Sequence, residues 1–325
     1  MYSVDNTFIH VAAAAIVNDN GEVLVSQRKQ GTHLEGYWEF PGGKIEQGET
    51  PESALARELK EELDIVPLSS RPLIRTRYHY PGKSVLLDVW RVKSFTGNPR
   101  GVEGQRIEWR ALSQLDSNEF PPADLPVINA LLLPSRYLIT GQFTSMSDFE
   151  RRLVGVLNDG IRLVQLRLTH DWVELNGEAY AQKVIRQCAA LCQQNTATML
   201  LNVPGVVQPE IHHGIHLTSK QLSSISARPD CRIVAASCHS RQELEQAQSI
   251  GVDFAVLSPV KKTGSHPDAE PLGWDAFNQL VDNINIPVYA LGGRAVDDIE
   301  QAWRAGGQGI AAIGALWNRL DRAHP

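Results

Sequence analysis

The chain has 325 residues, 42% of them apolar and 21% charged, a globular composition at a length that calls for two domains. A net charge of −6 argues against unspecific attraction to a nucleic-acid backbone, so a nucleotide fits better than a duplex as partner. The longest apolar runs, such as 11–17, are too short to span a bilayer, and the N-terminus lacks the basic-then-apolar pattern of a secretory signal; a cytoplasmic protein without membrane contact is expected.

Residues 8–17 read as an apolar strand, Asn18-Asp19-Asn20-Gly21 as a turn and 22–27 as a second strand. Gly42 and Gly43 suit a tight turn whose backbone must come close to a ligand. Pro51 then sits in the first turn of a helix, where its missing N–H costs nothing. Ala54, Leu55, Ala56 and Leu59 give that helix an apolar face, while Glu58 and Glu62 project from one side with Glu61 beside them. Like charges so crowded repel, and a divalent cation such as Mg²⁺ that takes carboxylate oxygens relieves the repulsion. Beyond the helix, 75–80 and 85–92 flank Pro81-Gly82 as a hairpin, 106–110 is a strand, and a helix over 125–133 ends at Pro134-Ser135.

After residue 136 strands and helices alternate. Strands are expected at 137–140, 163–168, 198–202, 215–218, 232–237, 254–258, 288–291 and 309–313, with helices at 148–158, 178–193, 241–250 and 296–305. Eight such units predict a compact (β/α)₈ TIM barrel over 136–325, although an open doubly wound sheet leaves the same pattern. All four cysteines lie in this half. Cys188 and Cys192, one helical turn apart, are expected to pack as small apolar groups rather than form a disulfide or zinc site with Cys231 and Cys238. His212, His213 and His216 straddle a glycine before a strand and are read as loop and strand residues.

In the first half, Gly43 is followed after five residues by Glu49, and after seven more by Arg57-Glu58-Leu59-Lys60-Glu61-Glu62-Leu63-Asp64-Ile65. This spacing resembles the Nudix box, with Asp64 where the family usually has Gly. Trp38-Glu39-Phe40-Pro41-Gly42-Gly43-Lys44-Ile45-Glu46, Gly101-Val102-Glu103-Gly104-Gln105 and Phe120-Pro121-Pro122-Ala123-Asp124 extend the resemblance to the MutT branch. It implies an α/β/α sandwich with a mixed sheet over 1–133, and Mg²⁺-dependent cleavage (Mn²⁺ serving in its place) of nucleoside triphosphates, 8-oxo-dGTP foremost, to monophosphate and pyrophosphate. By the same resemblance Gly42, Glu58 and Glu62 hold metal, and Glu58, Glu61 and Glu103 are the catalytic carboxylates. Arg28, His33, Glu39, Phe40, Pro41, Gly42 and Asp124 meet the nucleotide, and Arg57 pairs with Glu49 as a brace.

Asp124 departs from the family's Asn. An Asn donates to O6 and accepts from N7–H of 8-oxoguanine, whereas an ionised Asp only accepts. One mispaired buried acceptor costs about 1–3 kcal/mol, enough to erode base selectivity roughly ten- to hundredfold unless the carboxyl keeps a proton.

The second half resembles the thiamine phosphate synthase and thiazole tautomerase group. Tyr137-Leu138-Ile139-Thr140, Val164-Gln165-Leu166-Arg167, Gly214-Ile215-His216-Leu217, Ser237-Cys238-His239-Ser240 and Ala290-Leu291-Gly292-Gly293 carry the likeness. It implies a phosphate site at Gly292, Gly293 and Gly314 for a phosphorylated small molecule. Against synthase chemistry, the group's Asp pair is replaced by Val203-Pro204, a further metal-binding Asp by Gln221, and a lysine by Thr169. Against tautomerase chemistry, Pro259 follows Ser258 where a catalytic His is expected, with His266 near it after Lys261 and Lys262. The expected role is a degenerate or regulatory module; the alternative is a bifunctional thiamine-pathway protein.

Overall fold

The computed structural model describes residues 8–205, 213–261, 270–292 and 296–318. By its internal contacts the chain divides into Met1–Leu132 with Asp282–Asn285, and Leu133–Val281 with Ile286–Pro325.

In the first unit β1 (Phe8–Ile16), β2 (Glu22–Gln27), β3 (Trp38–Glu39), β4 (Gly42–Lys44), α1 (Pro51–Leu63), β5 (Val66–Tyr80), β6 (Lys83–Thr96), β7 (Ile107–Ala111) and α2 (Leu125–Leu132) follow in order. A four-stranded mixed sheet has the order β4-β1-β6-β5, with β1 parallel to β6 and antiparallel to β4. A second, antiparallel sheet has the order β3-β2-β7. The layering follows from β1, which is apolar on both faces. Ala12, Ala14 and Ile16 pack with Ala54, Leu55, Leu59 and Leu63 of α1, whereas Ala13 and Ala15 join Val127, Ile128 and Leu131 of α2. The β5–β6 hairpin is longer than expected, at 15 and 14 residues. Register shifts at Pro67/Ser69, Ser69/Ser70 and Pro72/Ile74 break the alternation there, which hides the outer part from a pattern reading.

Thr50 caps α1, its hydroxyl accepting from the Ser53 N–H at 3.2 Å. Asp64 ends the helix in the left-handed conformation, with φ 58° and ψ 35°. Ion pairs to Arg100 (2.9 Å) and Lys60 compensate for placing a side chain where glycine is usual.

The second unit runs β8 (Arg136–Ile139), α3 (Met146–Asn158), β9 (Leu163–Arg167), α4 (His170–Asn176), α5 (Glu178–Gln194), β10 (Thr198–Asn202), β11 (Gly214–Leu217), α6 (Ser219–Ser224), β12 (Ile233–Cys238), α7 (Arg241–Ser249), β13 (Phe254–Leu257), α8 (Gly273–Val281), β14 (Val288–Leu291), α9 (Ile299–Arg304), β15 (Gly309–Ala312) and α10 (Gly314–Trp317). Its eight parallel strands close in the order β10-β11-β12-β13-β14-β15-β8-β9, so the open sheet is excluded and the TIM barrel stands. Tyr137, Phe254 and Tyr289 fill the interior, their ring centroids 5.3–5.6 Å apart. The sequence pattern passed over α4, α6, α8 and α10, which have only four to nine residues. The helix expected over 296–305 is a 3₁₀ turn, Val296–Asp298, followed by α9. Cys188 and Cys192 pack in the core from the buried face of α5. Among the described residues no helix is long and apolar enough to cross a membrane.

Candidate active site

Gly42 and Gly43 lie in the short strand β4 rather than in the tight turn expected, packed so closely on β1 and α1 that side chains are excluded. A Cβ on Gly43 would sit 2.3 Å from the Glu58 carboxylate, and one on Gly42 would sit 2.1 Å from the Ala12 carbonyl oxygen. Gly42 also has φ +149°, a conformation open to glycine. Its N–H donates to Glu62 Oε2 at 3.1 Å. Arg57 binds loop to helix: Nε and Nη2 donate to Glu49 at 2.9 Å each, Nη2 to the Lys44 carbonyl at 3.0 Å and Nη1 to Glu58 at 2.8 Å. The guanidinium pulls the Glu49 carboxyl down to about 2, aided by the Glu46 backbone N–H.

Glu103 reaches the same region from the loop before β7. The Val102 N–H and Gln105 Nε2 both donate to the Glu62 carbonyl, at 3.0 and 2.9 Å, which ties that loop to the end of α1. Glu62 thereby stands among carboxylates: burial, with Glu39, Glu58 and Glu103 adding repulsion against the Gly42 N–H, pushes its carboxyl up to about 7. Glu58 is largely buried, whereas Glu61 points outward with 57% of its side chain exposed. Among the described residues, the three-ligand group whose ligand atoms all lie within 4.8 Å is the exposed His170, Asp171 and Glu174, not the α1 carboxylates. Arg57 and Lys29 engage Glu58 and Glu103 instead, the latter at 2.6 Å. The donor set of Glu58, Glu62, Glu103 and glycine backbone is all hard oxygen beside two glycines where side chains do not fit, and it suits Mg²⁺ or Mn²⁺.

Among the residues expected to meet the nucleotide, Phe40 packs on Phe120 in the core at 5.7 Å, and Pro41 is buried. Arg28 pairs with Glu39, and its Nε donates to the His33 carbonyl at 2.6 Å. The His33 ring meets Tyr80 edge-on at 5.3 Å. Thr76 Oγ1 donates to the Ala123 carbonyl at 3.1 Å and the Asp124 N–H to the Pro121 carbonyl at 2.9 Å, so Asp124 is held in a fixed turn. Asp124 is 6% exposed, and burial next to Glu39 raises its carboxyl well above the ordinary range despite Arg28. Burial likewise raises Glu39 against Arg28's opposing pull. The sequence reading missed Tyr78, Tyr80 and Lys29. The two tyrosines alternate on β5 before Pro81-Gly82, a signal that was available.

In the barrel, Asn202 Nδ2 donates to Gln165 Oε1 (3.1 Å), and Gln165 Nε2 donates to the Tyr137 hydroxyl (3.2 Å). That hydroxyl in turn bonds His216 Nδ1 (3.0 Å), whose Nε2 bonds Ser237 Oγ (2.8 Å). Burial, with Arg167 adding, lowers His216 to about 3, so the chain is uncharged at neutral pH. Gln221 Oε1 accepts from the Thr218 N–H at 2.9 Å in a capping box on α6, and Thr169 caps α4. Gly292 and Gly314 follow the adjacent strands β14 and β15, while Gly293, His212 and 262–266 lie outside the described residues. His213 Nδ1 accepts from the Met199 N–H at 3.1 Å, so it serves the backbone.

A NUDIX domain model matches residues 12–130, and a Thiamine monophosphate synthase model matches 136–316. Over 123 residues the chain is 42% identical to an 8-oxo-dGTP diphosphatase of Escherichia coli (strain K12), covering 38% of this chain and 95% of that protein. A CTP pyrophosphohydrolase of the same strain is 33% identical over 37% of this chain and 88% of its own length. A provisionally assigned thiamine-phosphate synthase 2 of Aquifex aeolicus (strain VF5) is 34% identical over 56% of this chain and 96% of its own length. The chain belongs to the Nudix hydrolases through its first half and to the thiamine monophosphate synthase family through its second.

Proposed function

We propose that the first unit is a cytoplasmic nucleoside triphosphate pyrophosphohydrolase that removes oxidised purine triphosphates, 8-oxo-dGTP foremost, before they reach DNA synthesis. The observation behind this reading is that Glu62, bound by the Gly42 N–H, is crowded by Glu39, Glu58 and Glu103, with Asp124 buried near Glu39 and Arg28. Glu58, Glu62 and the Gly42 carbonyl would hold a divalent ion, which would supply charge neutralisation on the phosphates and a more acidic water. Glu58, oriented by Arg57, takes the proton of the attacking water, and Glu103 faces the same cluster from its loop. Phe40, packed on Phe120 in the core, shapes the nucleotide side from beneath. Asp124 reads the purine edge as a neutral acid, donating to O6 and accepting from N7–H.

The barrel, in this reading, binds a phosphorylated small molecule at Gly292, Gly293 and Gly314 without displacing pyrophosphate. In support, Gln221 is committed to a helix cap, and Val203-Pro204 offers no carboxylate to a metal. The thiamine-pathway alternative draws on the uncharged hydrogen-bonded chain from Asn202 to Ser237, whose two end residues are only half-buried. Turnover of 8-oxo-dGTP, dGTP and CTP, read as pyrophosphate, and of thiamine diphosphate, read as orthophosphate, separates the readings. A preference for 8-oxo-dGTP is expected, and a preference for thiamine diphosphate overturns the nucleotide assignment.

A further inference from the structure

The acidic cluster of the first unit is almost fully matched by basic side chains, but unequally. Arg28 pairs with Glu39, Arg57 with Glu58 and Lys29 with Glu103, while the Glu62 carboxylate has, among the described residues, the Gly42 N–H. Arg57 is fixed by its bonds to Glu49 and the Lys44 carbonyl, and Arg28 by the His33 carbonyl. Lys29 differs. Its ammonium makes a single side-chain contact among the described residues, 2.6 Å to Glu103 Oε2, and the two side chains are 43% and 47% exposed. Exposed pairs of this kind contribute little to stability and exchange readily. A divalent cation, with twice the charge, outcompetes an ammonium for the same carboxylate. Lys29 directly follows Arg28, the partner of Glu39, and is exposed, with a flexible stem carrying three donors that suit phosphate oxygens.

We propose that Lys29 is the exchangeable counter-ion of Glu103: a divalent cation displaces it from the carboxylate, and the freed ammonium then binds the polyphosphate of the substrate. The inference rests on the reading of Glu103 as a carboxylate of the metal site. It makes Lys29 a positioning residue with two opposite effects, since it competes with the metal and assists the nucleotide. A role limited to holding the 101–105 loop in place would weaken both when lost.

The test uses the full-length protein, stripped of metal by chelation and titrated with Mn²⁺ while free ion is followed by electron paramagnetic resonance. KM for dGTP is measured separately at saturating Mg²⁺. Lys29→Met should bind Mn²⁺ about two- to fivefold more tightly, the span of an exposed ion pair. Its KM for dGTP should rise by a similar factor, and Lys29→Arg should restore both values toward wild type. Glu103→Gln should bind Mn²⁺ more weakly. If it does and Lys29→Met binds Mn²⁺ no more tightly than wild type, the counter-ion role is wrong while Glu103 keeps its place. If Lys29→Met tightens Mn²⁺ but leaves KM unchanged, the transfer to phosphate is wrong. Unchanged Mn²⁺ binding in Glu103→Gln removes the foundation and the inference with it.

Discussion

Replacing Gly43 with alanine separates the site from the fold. The new Cβ would lie 2.3 Å from Cδ and Oε1 of Glu58 and 2.4 Å from Oε2. Carbon and oxygen atoms rest at about 3.5–4.0 Å, so the carboxylate must retreat by more than about 1 Å. That movement breaks its 2.8 Å contact with Arg57. The obstacle is the far end of a flexible side chain, so the structural cost is that of an altered rotamer, about 0.5–1.5 kcal/mol. The catalytic cost is larger, because a misplacement of about 1 Å is worth roughly 10²-fold in rate. Gly42→Ala differs in kind: its Cβ meets the backbone of Ala12 and Ala13 at 2.1 and 2.7 Å, with φ at +149°. Neither can yield, and a loss of stability of about 2 kcal/mol or more is expected. Pyrophosphate release gives the rates, and native-state hydrogen exchange of α1 amides reads the stability of the first unit. Wild-type turnover in Gly43→Ala, or a loss of stability equal to that of Gly42→Ala, would refute the placement of Glu58.

The remaining predictions concern protons. Folded Glu62 keeps its proton up to about 7 while the unfolded chain releases it near 4.5, so wild-type stability declines as pH rises through that window. In chelator, Glu62→Gln should therefore gain up to about 3 kcal/mol at pH 8 and nothing near pH 4, by the same exchange measurement; equal gains at both pH values would contradict the burial argument. For Asp124, whose folded carboxyl is raised, rising pH removes the proton that donates to O6. Wild-type preference for 8-oxo-dGTP over dGTP should fall between pH 6 and pH 8.5, whereas Asp124→Asn stays level and exceeds it by roughly ten- to hundredfold at the upper pH. Identical preferences at both pH values in the two proteins would end this account of base reading.

The site is legible in sequence where its partners are close along the chain. Gly42, Gly43 and the α1 glutamates lie within 21 residues, and helical spacing alone puts Glu58 and Glu62 on one side. The pair Lys29–Glu103 spans 74 positions and depends on two loops meeting, which no local pattern encodes. Asp124 could be singled out as a departure from Asn, but its burial next to Glu39 and Arg28 required the packed sheet. In the barrel, strand positions were readable to within a residue or two, whereas closure depends on β15 pairing with β8 across the whole domain. The cap made by Gln221 was within reach, because Thr218-x-x-Gln221 is a capping-box pattern.

The central claim is that the Glu58 cluster turns nucleoside triphosphate into monophosphate and pyrophosphate. The direct measurement is product analysis of full-length wild type and Glu58→Gln with Mg²⁺ and 8-oxo-dGTP. The account predicts 8-oxo-dGMP and pyrophosphate from wild type, with a loss of about 10²–10⁴ in turnover for the variant. Equal turnover in the two proteins, or release of orthophosphate in place of pyrophosphate, would contradict it.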